Sequence, residues 1–127
     1  MEKSLKPTES ELEILQVLWQ NGPSTVRFIH DELSKNKDVG YTTTLKLMQI
    51  MAEKEMLKTD KSSRSHIYYP AIEEEKTQQQ LLNRFLDAAF RGSASKLVMQ
   101  ALGNGTTTKE ELNEIRNLLD KLEGGKK

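Results

Sequence analysis

The stretch from Tyr41 to Leu57, YTTTLKLMQIMAEKEML, constrains this chain more than any other. Thr44, Leu47, Met48 and Met51 recur at i, i+3, i+4 and i+7, one face of a 3.6-residue period, and so predict an amphipathic helix. The other face carries Thr43, Lys46, Gln49 and Ile50. Thr42 and Thr43 offer hydroxyls for capping its N-terminus. The groups that face outward at its start are short hydroxyls and one cation. Such groups can approach base edges and phosphates, but they cannot do acid–base chemistry.

The segments before it read as two shorter helices. Thr8-Glu-Ser-Glu11 matches a capping box, in which hydroxyl and carboxylate each satisfy an orphan backbone N–H at a helix start. Leu12, Leu15, Leu18 and Trp19 follow at helical spacing, and Asn21-Gly22-Pro23 stops the helix. Ser24 is expected to cap a second helix with Val26, Ile29 and Leu33 as its buried stripe. A polar loop, residues 35–40, leads into the third helix. Three short helices of this kind predict a helix-turn-helix core. After Leu57 the period changes. Residues 56–60 and 66–70 read as two strands, rich in β-formers in the second, joined by the polar turn Lys61-Ser-Ser-Arg-Ser65. This hairpin is the wing of a winged helix.

Beyond Pro70 the pattern returns to helix. Residues 73–90 carry Leu81, Leu82, Phe85, Leu86 and Ala89 on one broad face, and Arg91-Gly92-Ser93 breaks it. A short helix over 95–102 places Leu97, Val98, Ala101 and Leu102 together. Thr108-Lys-Glu-Glu111 is a second capping box, followed by Leu112, Ile115, Leu119 and Leu122 in an a/d-type seam widened by Leu118. Residues 124–127 read as a solvated tail and the polar residues before Pro7 as an unstructured lead. A lone core of fewer than roughly 70–80 residues supplies little stability. The tail is therefore expected to pack against a second copy of itself, through Leu82, Phe85, Leu97, Leu112, Ile115, Leu119 and Leu122. The fold class is mainly α with a small β-hairpin: a winged helix-turn-helix DNA-binding domain over residues 1–72 and a helical dimerisation domain over 73–127.

Charge and composition remove most other functions. The formal net charge is zero, and residues 22–70 hold eight Lys/Arg against six Asp/Glu, a weak basic bias between an acidic start and a balanced tail. With no cysteine, disulfides, zinc fingers and thiol switches are excluded. His30 and His66 lie on different elements and form no metal spacing, so neither metal nor cofactor is expected. Glu73-Glu-Glu75 sits at a helix start, where it complements the dipole. No nucleophile elbow, ordered triad or glycine-rich phosphate loop is present, and the chain is not read as an enzyme. No run approaches the roughly 20 apolar residues of a membrane span, and Met1-Glu-Lys-Ser-Leu5 lacks a signal-peptide core; a cytoplasmic protein is the expectation.

The binding candidates follow from position. Thr42, Thr43, Lys46 and Gln49 occupy the outward face of the third helix. Lys58, Lys61 and Arg64 can reach phosphates from the hairpin, each adding salt-dependent and sequence-independent affinity. Thr25 and Arg27 lie at the start of the second helix, where free N–H groups support a phosphate. Each position also has a plainer reading, as a core helix, a charged turn or a simple cap. A winged-helix module that binds protein rather than DNA is the main competing reading, supported by the zero net charge.

Five segments together resemble the penicillinase-repressor family, the BlaI/MecI/CopY group. They are Pro7–Trp19 (PTESELEILQVLW), Tyr41-Thr-Thr-Thr44, Tyr68-Tyr69-Pro70, Phe90-Arg-Gly-Ser93 and Glu110–Leu119 (EELNEIRNLL). They run in order across nearly the whole chain. The resemblance implies a homodimeric bacterial repressor that sits on a dyad-symmetric operator through an N-terminal winged helix. In the antibiotic-responsive branch it implies release by cleavage in the dimerisation domain, triggered by a membrane metalloprotease sensor. Thr42, Thr43 and Lys46 match positions that face DNA, and Arg64 matches the wing. Three positions depart from the family. Glu55 stands where a helix-ending glycine is usual, and Ile50 where arginine is frequent. The scissile Asn-Phe of staphylococcal-type members falls at Gln100-Ala101, which has neither residue type, so induction by the same cut is not expected. The copper-responsive branch carries a cysteine cluster, which this chain lacks.

Overall fold

The computed structural model describes residues 6–124. The lead before Lys6 and the tail after Gly124 lie outside them. In chain order the elements are α1 (Glu9–Asn21), α2 (Val26–Ser34), α3 (Tyr41–Glu53), β1 (Leu57–Asp60), β2 (Ile67–Pro70), α4 (Glu74–Phe90), α5 (Ala94–Gly103) and α6 (Lys109–Gly124). They form two compact units that divide between Leu81 and Leu82, inside α4. The boundary expected from the sequence, 72/73, falls just before α4.

The first unit is a winged helix with a closed interior. The capping box of α1 forms in full: Glu11 N–H donates to Thr8 Oγ1 at 3.2 Å, and Thr8 N–H donates to Glu11 Oε1 at 2.9 Å. Gly22, at φ 87°, ends α1 and returns its N–H to the Leu18 carbonyl at 2.7 Å. Leu15 and Leu18 are buried as the period requires, but the third core residue of α1 is Ile14, with Leu12 and Trp19 only half-buried. Half-burial suits Trp19, because its indole N–H donates to the Ile72 carbonyl at 3.1 Å and ties α1 to the chain leaving the wing.

The cap of α2 is Thr25 rather than Ser24; Phe28 N–H donates to Thr25 Oγ1 at 3.1 Å. Ser24 is taken up by another element. Its N–H donates to the Tyr68 carbonyl at 3.1 Å, and Tyr68 N–H donates to the Ser24 carbonyl at 2.8 Å. This bridge adds a third, one-residue rung to the hairpin. α3 begins at Gly40, which has no side-chain cap. Thr42 and Thr43 therefore do not cap it: they lie in its first turn and are exposed. Thr44, Met48 and Met51 are its buried face, with Leu47 half-buried.

α3 ends in a left-handed turn. Met56 N–H donates to the Met51 carbonyl at 2.9 Å and Glu55 N–H to the Ala52 carbonyl at 3.1 Å. That is the two-bond Schellman pattern. Glu55 occupies its left-handed position at φ 68°, so the missing glycine costs about 1 kcal/mol of backbone strain. β1 and β2 then pair antiparallel in the register Leu57↔Pro70, Lys58↔Tyr69, Thr59↔Tyr68 and Asp60↔Ile67. Met56 and His66 fall just outside the strands. Ile14, Leu15, Leu18, Val26, Ile29, Met48, Met51, Met56, Leu57 and Tyr68 make one core drawn from every element of this unit up to β2.

The second unit has the same local grammar without an interior. Ser93 caps α5 through Lys96 N–H at 3.3 Å. Thr108 and Glu111 repeat the capping box before α6, at 2.9 and 3.1 Å. Arg91 (φ 53°) and Gly92 (φ 81°) form the left-handed break after α4. Yet no residue of α5 or α6 is buried, and the only buried residue of α4 is Thr77, in the part belonging to the first unit. Leu82, Phe85, Val98, Met99, Leu112, Leu118, Leu119 and Leu122 are all exposed.

Candidate nucleic-acid interface

Thr42, Thr43, Lys46 and Gln49 are exposed on α3, and their spacing sets them along one side of the helix. The buried Thr44, Met48 and Met51 hold the opposite side in the core. Ile50, on the same side as Thr43 and Lys46, is half-buried. The outward face is thus a shallow row of two hydroxyls, one amine and one amide, chemistry that suits base edges and phosphate oxygens.

Two grooves flank α3 and bring in the other elements. One, of about 550 Å³, is lined by Thr25, Arg27, Tyr41, Gln49, Arg64 and His66, among others. The start of α2, the middle of α3 and the wing tip therefore meet at one place. A second, of about 410 Å³, is lined by Gln49, Glu53, Thr59, Lys61 and His66, among others. Gln49 and His66 border both. Lys61 and Arg64 accordingly lie on different sides of the wing–α3 junction. Lys58 lines neither; it is paired with Tyr69 and alternates with Thr59, so it points to the other face of the hairpin. Thr42, Thr43 and Lys46 stand outside both grooves.

The charges sort by position. Of the Lys/Arg in residues 22–70, Lys35 pairs with Glu32, Lys37 with Glu13 and Lys54 with Glu11, each at 2.8 Å. Arg27, Lys46, Lys58, Lys61 and Arg64 have no carboxylate partner among the described residues. Asp60 lies next to Lys61 in sequence, but its exposed carboxylate bonds back onto the turn: Ser62 N–H donates to Asp60 Oδ1 at 2.9 Å. That backbone bond first, then the Ser62 hydroxyl, holds the Asp60 carboxyl below its usual range, with a smaller contribution from His66. Asp60 therefore stays charged, and neither Lys61 nor Arg64 forms an ion pair among the described residues. Around α3, Arg27, Lys46, Lys61 and Arg64 thus have no carboxylate partner among the described residues, although exposed Glu53 lines the same groove as Lys61.

Glu11 is the structural counterpart of that sorting. Its side chain is buried, and both oxygens are used, one by Thr8 N–H and one by Lys54 Nζ. Burial alone would raise its pKa, but the Lys54 and Thr8 hydrogen bonds outweigh it and hold the carboxyl below its usual value. Lys54 follows the last residue of α3, so this pair locks α1 to the end of the outward-facing helix.

Sequence reasoning missed Tyr41 and His66. The Arg27 guanidinium carbon lies over the Tyr41 ring, 5.2 Å from its centroid, and His30 meets that ring edge-on at 5.5 Å and 77°. His30 Nδ1 lies 3.4 Å from Thr44 Oγ1, and Nε2 lies 3.4 Å from Ser34 Oγ. No sequence signal joins Arg27, His30 and Tyr41, since the loop between α2 and α3 decides which of their faces meet. Among the described residues no group of three His, Asp or Glu is arranged to hold a metal, and no helix is long and apolar enough to cross a membrane.

A three-helix core with an antiparallel wing, and an outward third helix edged by unpaired cations, defines a winged-helix DNA-binding protein. The family-level comparison agrees. The model of the penicillinase repressor family matches residues 7–121, and the chain belongs to that family. It is similar to the penicillinase repressor of Bacillus licheniformis, 26% identical over 127 residues, covering 100% of this chain and 99% of the relative. Methicillin resistance regulatory protein MecI of Staphylococcus aureus (strain N315) is 22% identical over 119 residues, 94% of this chain and 97% of the relative. The transcriptional regulator BlaI of Mycobacterium tuberculosis is 27% identical over 130 residues, 98% and 91% respectively. The family consists of transcriptional repressors rather than enzymes, and the chain is a repressor of this type that binds operator DNA.

Proposed function

We propose that the chain represses as a homodimer on a pseudo-palindromic operator, with α3 in the major groove and the wing on the phosphate backbone. Thr42, Thr43, Lys46 and Gln49 face the bases and adjoining phosphates; Thr25, Arg27, Lys61 and Arg64 hold the backbone. Residues 1–72 read DNA and residues 73–127 pair the two copies. The observation that carries this reading is the segregation of charge: Arg27, Lys46, Lys61 and Arg64 have no carboxylate partner among the described residues, while Lys35, Lys37 and Lys54 are paired.

The absence of any buried residue in α5 and α6 supports the pairing. Leu82, Phe85, Leu112, Leu119 and Leu122 are exposed, and Leu97 and Ile115 are half-buried. A second copy laid on these faces supplies the missing layer. Two linked heads then bind two half-sites, and the second binding event becomes intramolecular. Release works on the same term, because whatever separates the pair removes that gain. The bond Gln100–Ala101 lies inside α5 with both residues exposed. It lacks the Asn-Phe pair, so a membrane sensor protease would have to separate the DNA-reading heads from α6 by a cut at another bond.

The test is binding to duplex DNA across a salt series, followed by selection from a random-sequence duplex pool. Affinity should fall steeply with salt, and Lys46→Ala should weaken binding and shift the selected bases. Flat affinity across salt would sink the backbone contacts; unchanged affinity and preference would remove Lys46 from the interface.

A further inference from the structure

We propose that Tyr41 is a positioning residue for DNA binding: its ring face holds the Arg27 guanidinium in place as a preformed phosphate clamp at the junction of α2, α3 and the wing. The inference rests on the reading of Arg27 as a backbone contact.

Arg27 is the second residue of α2, exposed and without a carboxylate partner among the described residues. A surface arginine of this kind is ordinarily spread over many rotamers, and binding a phosphate must immobilise it. That ordering opposes binding. Here the guanidinium already lies 5.2 Å from the centroid of the Tyr41 ring, within the range of a cation–π contact. The ring is itself held. Its backbone is the first residue of α3, and its edge meets His30 at 5.5 Å. His30 is fixed in turn by its contacts with Thr44 of α3 and Ser34 of α2. The guanidinium is therefore referenced to both helices at once.

Its place is also the right one for a phosphate. The groove that Arg27 and Tyr41 line also receives Thr25, Gln49, Arg64 and His66. A phosphate lodged there meets two guanidinium groups from different elements and the N-terminal end of α2. A cation–π contact consumes no conventional acceptor, so the N–H groups of Arg27 that do not point at the ring remain available as donors. Tyr41 adds no charge; it contributes by reducing the freedom of a charge that is already present.

The role separates from a purely structural one by salt dependence and by a double-mutant cycle. The probe is a fluorescently labelled random-sequence duplex a few helical turns long, because a phosphate contact needs no particular operator. Arg27→Ala should weaken binding several-fold and lower the slope of log affinity against log salt by about 0.9 per chain, as expected for one lost phosphate contact. Tyr41→Leu should weaken binding by about 2- to 5-fold and leave the slope unchanged. Tyr41→Phe, which keeps the ring, should retain wild-type affinity. In the Arg27→Ala background Tyr41→Leu should cost nothing further.

Each alternative result is decisive. An equal Tyr41→Leu loss in both backgrounds means the ring acts on folding or on DNA directly, and overturns the positioning role while leaving Arg27 as a contact. A Tyr41→Phe loss equal to that of Tyr41→Leu assigns the effect to the hydroxyl and overturns it likewise. An Arg27→Ala variant with wild-type affinity and slope removes the phosphate contact itself, and the positioning role with it.

Discussion

The two capping boxes of this chain are the same motif with different fates. Thr8 and Glu11 open α1, Thr108 and Glu111 open α6, and the reciprocal hydrogen bonds agree to within about 0.1 Å. Glu11 is nevertheless almost wholly buried and bonded to Lys54, whereas Glu111 is exposed. The first box is enclosed by α1, α3 and their neighbours; the second stands on a helix with no buried residue. Local signals that start a helix are therefore silent about what the helix packs against. Burial is contributed by a second layer, and the second unit of a single chain does not provide one.

The largest expected effect tests that difference. Leu119→Asp places a charge on the exposed seam of α6, more cleanly than at Ile115, which also packs within the chain in a groove with Ala101 and Leu102. It should convert a dimer to a monomer in sedimentation and weaken operator binding by about 100-fold or more through loss of bivalency. A variant that still sediments as a dimer would mean the seam is not the pairing surface.

A core truncation separates the units by a different measure. Leu15→Ala should cost about 3 kcal/mol in denaturant unfolding, with little dependence on protein concentration. Leu119→Ala should lower the melting temperature most in dilute samples, because stability drawn from a partner follows mass action. If the two variants respond alike to dilution, the contrast between a closed and a shared interior is wrong.

The enclosed capping box should make the stability of the first unit sensitive to pH. Lys54→Met leaves Glu11 buried with one partner fewer and should cost about 1–3 kcal/mol at neutral pH. Glu11 has a depressed pKa in the folded protein, so its contribution is present above the ordinary glutamate range and is lost as pH falls through the folded value. The gap between wild type and Lys54→Met should therefore close on acidification, as followed by thermal melts over a pH series. A gap that stays constant would show that the pair carries no linked protonation.

The smallest effect concerns the turn out of α3. Glu55→Gly should stabilise the first unit by about 1 kcal/mol or less, since it relieves a left-handed residue at φ 68°. Urea midpoints measure it. A loss of stability would mean that the contacts of the Glu55 side chain outweigh the strain.

Much of the fold is legible in the residues themselves. The period of Thr44, Met48 and Met51 gives α3 and its inward face, and Thr8-Glu-Ser-Glu11 gives the start of α1. The polar turn at 61–65 gives the wing. The errors fall where a distant partner decides. Ser24 and Thr25 are equivalent as caps by composition; Tyr68 takes Ser24 into the sheet and leaves the cap to Thr25. Thr42 and Thr43 suit a cap, but α3 starts earlier, at Gly40, which turns those hydroxyls outward. Ile14 rather than Leu12 enters the core because the angle at which α1 meets its neighbours selects between adjacent apolar positions.

The sequence by itself determined the order of helices and strands, the face of α3 that is buried and the family to which the chain belongs, because periodicity, caps and breakers act over a few residues. Its neutral total charge suggested no affinity for DNA. Only the tertiary structure decided where that charge is felt. Folding brings Glu11 to Lys54 and Glu13 to Lys37, and among the described residues it leaves Arg27, Lys46, Lys61 and Arg64 without a carboxylate partner around one helix. Coulomb interactions depend on distance in space, and a count along the chain contains no distances.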